Sequence, residues 1–143
     1  MKIISIETVK LNVPREGPRT EPRRPTWNRT SPRSLPINYY PEFSRLPGEM
    51  PGMGGGQVWV KVTVEDGTWG LGACSFGAPS ASVIETVYAP LLMGRDCLAT
   101  EFLNDLMWRA SQRLGDAGHA TVARSGVDLA LWDLKGKLLD LPE

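Results

Sequence analysis

The chain has 143 residues, enough for one compact domain or a small domain with a long arm, and folding at this size buries roughly two-thirds of the unfolded surface. Sixteen basic residues balance sixteen acidic ones, so no global field draws the chain to nucleic acid or to an anionic membrane. Two cysteines, Cys74 and Cys97, suit neither a disulfide framework nor a zinc quartet, and point to a cytoplasmic protein with free thiols.

The first predicted element is a strand over residues 1–13. Ile4 and Ile6 alternate at even positions and Val9, Leu11 and Val13 at odd ones, so a bulge is expected near Glu7–Thr8. Ser5, Glu7, Thr8 and Lys10 interrupt the apolar residues, which excludes a signal peptide, and no apolar run reaches membrane-spanning length.

Residues 14–56 form a long arm. Nine prolines fall between Pro14 and Pro51, six arginines between Arg15 and Arg33, and five glycines between Gly48 and Gly56. Proline fixes φ and lacks a donor, so a regular helix or central strand is excluded here. Trp27, Tyr39, Tyr40 and Phe43 are too aromatic for a plain linker, and an ordered flap with mobile parts is expected. Glu16, Glu21, Glu42 and Glu49 dilute the basic charge, which argues against RNA, whereas arginine's planar fork also fits a small carboxylate. The glycine run precedes a strand and lacks Gly-Lys-Ser/Thr, so it reads as a hinge rather than a phosphate loop.

A hairpin is predicted over 57–75. Val58, Val60, Val62 and Val64 share one face, and Trp59, Lys61 and Thr63 the other. Asp66-Gly67 supplies the turn, and Trp69, Leu71 and Ala73 share a face of the return strand.

From residue 79 to 141 the apolar period is helical. Val83, Ile84 and Val87 mark a short helix expected to stop near Pro90. Leu103, Leu106, Met107, Ala110 and Leu114 mark a second. The third runs from about Ala120 to Leu139, with Val127, Leu131, Leu134, Leu138 and Leu141 on one side and Leu129, Trp132 and Leu139 widening the arc. Gly126 and Gly136 inside it suggest close approach by another element. Its apolar girth exceeds what a three-stranded sheet and two helices are expected to cover, so self-association is expected through Val127, Leu131, Leu134 and Leu138.

Candidate chemistry is sparse. His119, the sole histidine, reads as a helix-entry residue. Asp128 and Asp133 are five apart, roughly 140° around a helix, and so do not converge on a metal. Structural pairing of these carboxylates with Lys135 and Lys137 is the better reading. No general base, nucleophile and electrophile come together. The residues describe an α+β module, a three-stranded antiparallel meander followed by a helical bundle.

Several segments resemble the N-terminal capping domain of the enolase superfamily, in its mandelate racemase/muconate lactonizing enzyme-like branch. "MKIISIETVKLNVP" is similar to its opening strand, "VWVKVTVEDGTWGLGA" to its hairpin, "VIETVYAPLLMGRD" to its first helix, and "SGVDLALWDLKGKLLDLP" to its closing helix. The arm, with "SPRSLPINYYPEFSR", resembles acid-sugar dehydratases of rhamnonate dehydratase type. Ala73 and Cys97 depart from the pattern, where Glu and Pro are common, which leaves the subgroup open. The resemblance implies a parent enzyme, a lyase or isomerase, whose (β/α)₈ barrel holds Mg²⁺ and the bases that take the proton α to a carboxylate. That barrel is absent from these 143 residues. It implies no catalytic residue and no metal ligand in this chain, and a sugar acid as small-molecule partner. Its two covering loops correspond to residues 14–36 and 46–57, and Trp27, Arg29 and Arg45 are the candidate substrate-binding side chains. The alternative is a stand-alone binding or assembly module on the same fold.

Overall fold

The computed structural model describes residues 1–11, 36–42, 56–115 and 117–141. The chain divides into two compact units, Met1–Leu11 with Gly54–Glu143, and Asn12–Met53. In the second unit the described residues hold one 3-10 turn, Pro36–Tyr39, whose leading proline brings a φ suited to a tight turn. The Tyr39 and Tyr40 rings meet edge to face at 5.4 Å.

The first unit is an antiparallel sheet covered on one face by helices. β1 (Ile3–Val9), β2 (Val58–Val64) and β3 (Trp69–Cys74) lie side by side in chain order, the expected meander. β2 has the cleanest period: its four valines are buried against the helices, and Trp59, Lys61 and Thr63 are half-buried on the other face. In the turn, Gly67 takes φ 86° and the Asp66 carboxylate accepts a bond from the Thr68 amide at 2.8 Å.

The bulge lies earlier than the alternation suggested. Ile3 pairs with Val64 but Ser5 with Thr63, so the extra residue is Ile4 and pairing is regular through Glu7 and Thr8. Ile3 and Ile6 are both buried, and two residues three apart can face one way on a strand only if one residue between them is inserted. β1 ends at Val9, short of the residue 13 expected.

The first helix also departs from its expected end. α1 (Gly77–Val83) passes into a π turn (Ile84–Tyr88) and then α2 (Ala89–Leu92), so the helical path runs past Pro90. Proline has no N–H and its ring crowds the carbonyl four residues back. The widened turn, in which the Ala89 amide reaches the Ile84 carbonyl, accommodates it. α3 (Thr100–Ala110) buries Leu103 and Met107, but Leu114 falls in a following 3-10 turn and is exposed rather than on the buried stripe.

α4 (His119–Leu139) is the central helix, packed chiefly on β3 and β2. The expectation that its apolar side outruns its cover is overturned at three positions: Val127, Leu131 and Leu134 are fully buried, and Leu138 packs half-buried against the core. The reason is the approach distance. A Cβ built on Gly70 would lie 2.1 Å from the Ala130 carbonyl oxygen, so the helix rests directly on the strand backbone. Gly126 makes the reciprocal fit, its would-be Cβ meeting the Cys74 side chain at 3.0 Å. Each large side chain buried this way is worth about 1.5–3 kcal/mol. What α4 leaves exposed is a different stripe, Leu129, Trp132 and Leu139. At its end Asp140 takes φ 52° and the Leu141 amide returns to the Gly136 carbonyl at 2.9 Å.

Candidate functional site

Trp27, Arg29 and Arg45 lie outside the described residues. The described fold does show where their segment joins it. Val9 of β1 pairs with Trp59 of β2, so the chain leaves and re-enters the sheet at adjacent points. Val58 in turn pairs with Cys74, which brings the end of β3 to the same place.

Beyond β3 the backbone turns through two left-handed residues, Phe76 at φ 70° and Gly77 at φ 50°. The Gly77 amide donates to the Gly56 carbonyl at 3.2 Å. The Phe76 ring meets the His119 ring edge to face, with centroids 5.2 Å apart. His119 opens α4, the entry position its sequence context suggested, and its buried Nδ1 has no hydrogen-bond partner. Nearby, the Tyr88 hydroxyl donates to the Ala120 carbonyl at 2.9 Å and ties the π turn to the start of α4. Burial pushes both the Cys74 thiol and the Tyr88 phenol above their ordinary values. Among the described residues the His119 Nδ1 meets no serine or cysteine, and the contacts of this corner hold backbone in place.

A concavity of about 390 Å³ opens between α3 and α4. Glu101, Asp105, Trp108, Arg124, Asp128 and Trp132 line it. Asp105 is paired with Arg109 at 2.7 Å, and Lys135 lies over the Trp132 ring at 4.7 Å. Charges of both signs are mixed along its walls.

Asp128 and Asp133 diverge as their spacing requires. Asp128 lines the groove, whereas Asp133 turns to the sheet edge, accepting from the Leu71 amide and from Lys137 Nζ, both at 2.6 Å. Among the described residues no group of three or more His, Cys, Asp and Glu side chains could hold a metal ion. Sequence reasoning missed the groove and the Phe76 turn. The groove depends on how two helices cross, and a phenylalanine in a left-handed conformation has no sequence signal; only the adjacent Gly77 hinted at a turn.

Comparison with known proteins agrees with this architecture. Residues 55–142 match the family described as mandelate racemase / muconate lactonizing enzyme, N-terminal domain. The chain is 36% identical over 110 residues to L-rhamnonate dehydratase of Saccharopolyspora erythraea, covering 76% of this chain and 28% of that protein. It is 40% identical over 81 residues to D-galactarolactone cycloisomerase of Agrobacterium fabrum, covering 56% of this chain and 21% of the relative. The chain thus spans less than a third of the length of these relatives. Among solved structures, rhamnonate dehydratase from Gibberella zeae complexed with Mg superposes with a TM-score of 0.73 at 26% identity, covering 96% of this chain and 34% of that one. The meander, the helices laid on it and the match over residues 55–142 establish that this chain belongs to the mandelate racemase/muconate lactonizing enzyme N-terminal domain family of the enolase superfamily.

Proposed function

We propose that the chain is the substrate-specificity and closure domain of a Mg²⁺-dependent acid-sugar dehydratase, which removes the proton α to a carboxylate and expels a β-hydroxyl. The observation that carries this reading is the likeness to the Gibberella zeae enzyme. It extends over 96% of the chain, beyond the residues that define the family, and that enzyme was crystallised with Mg. The described residues offer no ligand set for the ion, so the metal and the bases are assigned to no residue here.

In this reading the Pro- and Arg-rich segment is the part that meets substrate. Arg29 and Arg45 suit it chemically, because a guanidinium fork binds a carboxylate through two parallel bonds. Trp27 supplies a flat apolar wall that displaces water from the reacting centre. The described unit contributes rigidity: it fixes both roots of the segment on paired strands. No helix among the described residues is long and apolar enough to cross a membrane.

The test uses the polypeptide encoded by the complete reading frame, assayed with Mg²⁺ against a panel of sugar acids that includes L-rhamnonate. The expected product is a 2-keto-3-deoxy acid, with solvent deuterium exchanged into the α position. Arg29→Ala and Arg45→Ala should each raise KM about tenfold or more, in line with loss of a charge-assisted bond. Absence of both product and α-exchange across the panel would refute the dehydratase reading.

A further inference from the structure

Four residues with left-handed backbone belong to one corner of the sheet: Gly56 at φ 126°, Phe76 at 70°, Gly77 at 50° and Gly118 at 92°. Two contacts join them. The Gly77 amide donates to the Gly56 carbonyl, and the Phe76 ring meets the ring of His119, the residue after Gly118. Two features of this corner are locally unfavourable. A phenylalanine holds a conformation that glycine adopts freely, and the buried Nδ1 of His119 has no partner. Such features persist where the surroundings over-determine them, and they gather at positions that a protein needs held.

Gly56 is what this corner holds. It lies two residues before β2, where the chain enters the sheet, and a Cβ built on it would touch nothing within 4 Å. Side-chain packing therefore does not locate Gly56; its carbonyl does, through the Gly77 amide. The direction of that amide is set by the turn at Phe76, and the Phe76 ring is braced against the first residue of a 21-residue helix fixed to the sheet.

We infer that Phe76 and His119 form a latch that sets the position of Gly56, and so are positioning residues for the segment entering the fold there. The inference rests on the reading above that this segment selects the substrate, and it adds which residues of the rigid unit determine where the segment begins. The latch is a ring-to-ring contact, and the left-handed turn alone is not sufficient for it.

Amide hydrogen exchange on the 143-residue chain separates these elements. Phe76→Gly keeps the left-handed φ without strain but removes the ring, and His119→Ala removes the other half of the contact. In both, the Gly77 amide should exchange about tenfold faster or more, while Val62 and Val64 in β2 keep their protection. His119→Phe retains an aromatic edge, removes the unpartnered nitrogen and should keep protection at Gly77. Unchanged Gly77 exchange in both Phe76→Gly and His119→Ala would show that the turn holds Gly56 without the rings, and would overturn the inference. Equal acceleration at Val62 would overturn it too, since the contact would then support the whole unit. The readout needs no substrate, so its failure and the failure of the dehydratase assay are distinguishable.

Discussion

Gly72 of β3 and Gly126 of α4 meet backbone to backbone: a Cβ built on Gly72 would lie 2.1 Å from the Gly126 carbonyl oxygen. Nothing flexible stands at that point, so an added methyl can be accommodated only by lifting the helix off the strand. Gly72→Ala is expected to destabilise by about 3 kcal/mol or more, since overpacking against rigid backbone lies at the upper end of such costs. Gly70→Ala should behave alike, because its Cβ would meet the Ala130 oxygen and the Leu134 nitrogen. Gly67→Ala, in the open hairpin turn, should cost only about 1–2 kcal/mol from its positive φ. Urea denaturation of the three variants checks the order.

The two sides of α4 should respond differently to substitution. Leu134 is fully buried, so Leu134→Ala is expected to cost about 2–5 kcal/mol, and Leu134→Asp to unfold the unit. Leu129 and Leu139 are about half exposed, and lysine at either should leave the melting temperature nearly unchanged. Self-association, expected from the sequence through Leu134 and its neighbours, would on α4 have the exposed Leu129, Trp132 and Leu139 available instead. Sedimentation of Leu129→Lys and Leu139→Lys should show weaker association than the parent. A parent chain that stays monomeric at high concentration removes the expectation.

Asp133 caps the β3 edge of the sheet. Its carboxylate accepts from the Leu71 amide, which among the described residues has no neighbouring strand on that side, and from Lys137. Asp133→Ala leaves that amide unpaired and should cost about 1–3 kcal/mol. Asp133→Asn keeps an acceptor and should cost less, and Lys137→Ala should cost about 0–1 kcal/mol because the pair is partly exposed. Thermal melts rank the three, and equal losses for Ala and Asn would show that the charge, not the acceptor, matters.

Burial raises the thiols of Cys74 and Cys97 above the usual 9.0. In the unfolded chain they ionise first, so their contribution is complete below about pH 9 and is lost as pH climbs toward the folded values. Denaturation midpoints should therefore fall between about pH 8 and about pH 10. Tyr88, raised by the same cause, adds to the fall. The Cys74→Ala, Cys97→Ala double variant should show a shallower slope. An identical slope would assign the whole effect to Tyr88 and to the N-terminal amine, which its bond to Asp96 raises.

Much of the fold was legible from local pattern. Alternating valines at 58–64, the Asp66-Gly67 turn and the helical period of α3 and α4 follow from strand and helix repeats of two and 3.6, which act within a few residues. Together with the quoted segments they determined the α+β class and the family. The bulge at Ile4 instead depends on which isoleucines meet the helices, and the passage through Pro90 on a π turn that joins two short helices. Which side of α4 is buried was set by the glycines of β3, residues whose significance appears only when the helix lies on them. For the site, the sequence supplied Trp27, Arg29 and Arg45 as candidates by resemblance, and these lie outside the described residues. Only the tertiary structure brought Gly56, Phe76 and His119 to one corner, because they are separated in the chain and joined by a backbone bond and a ring contact that no local period encodes.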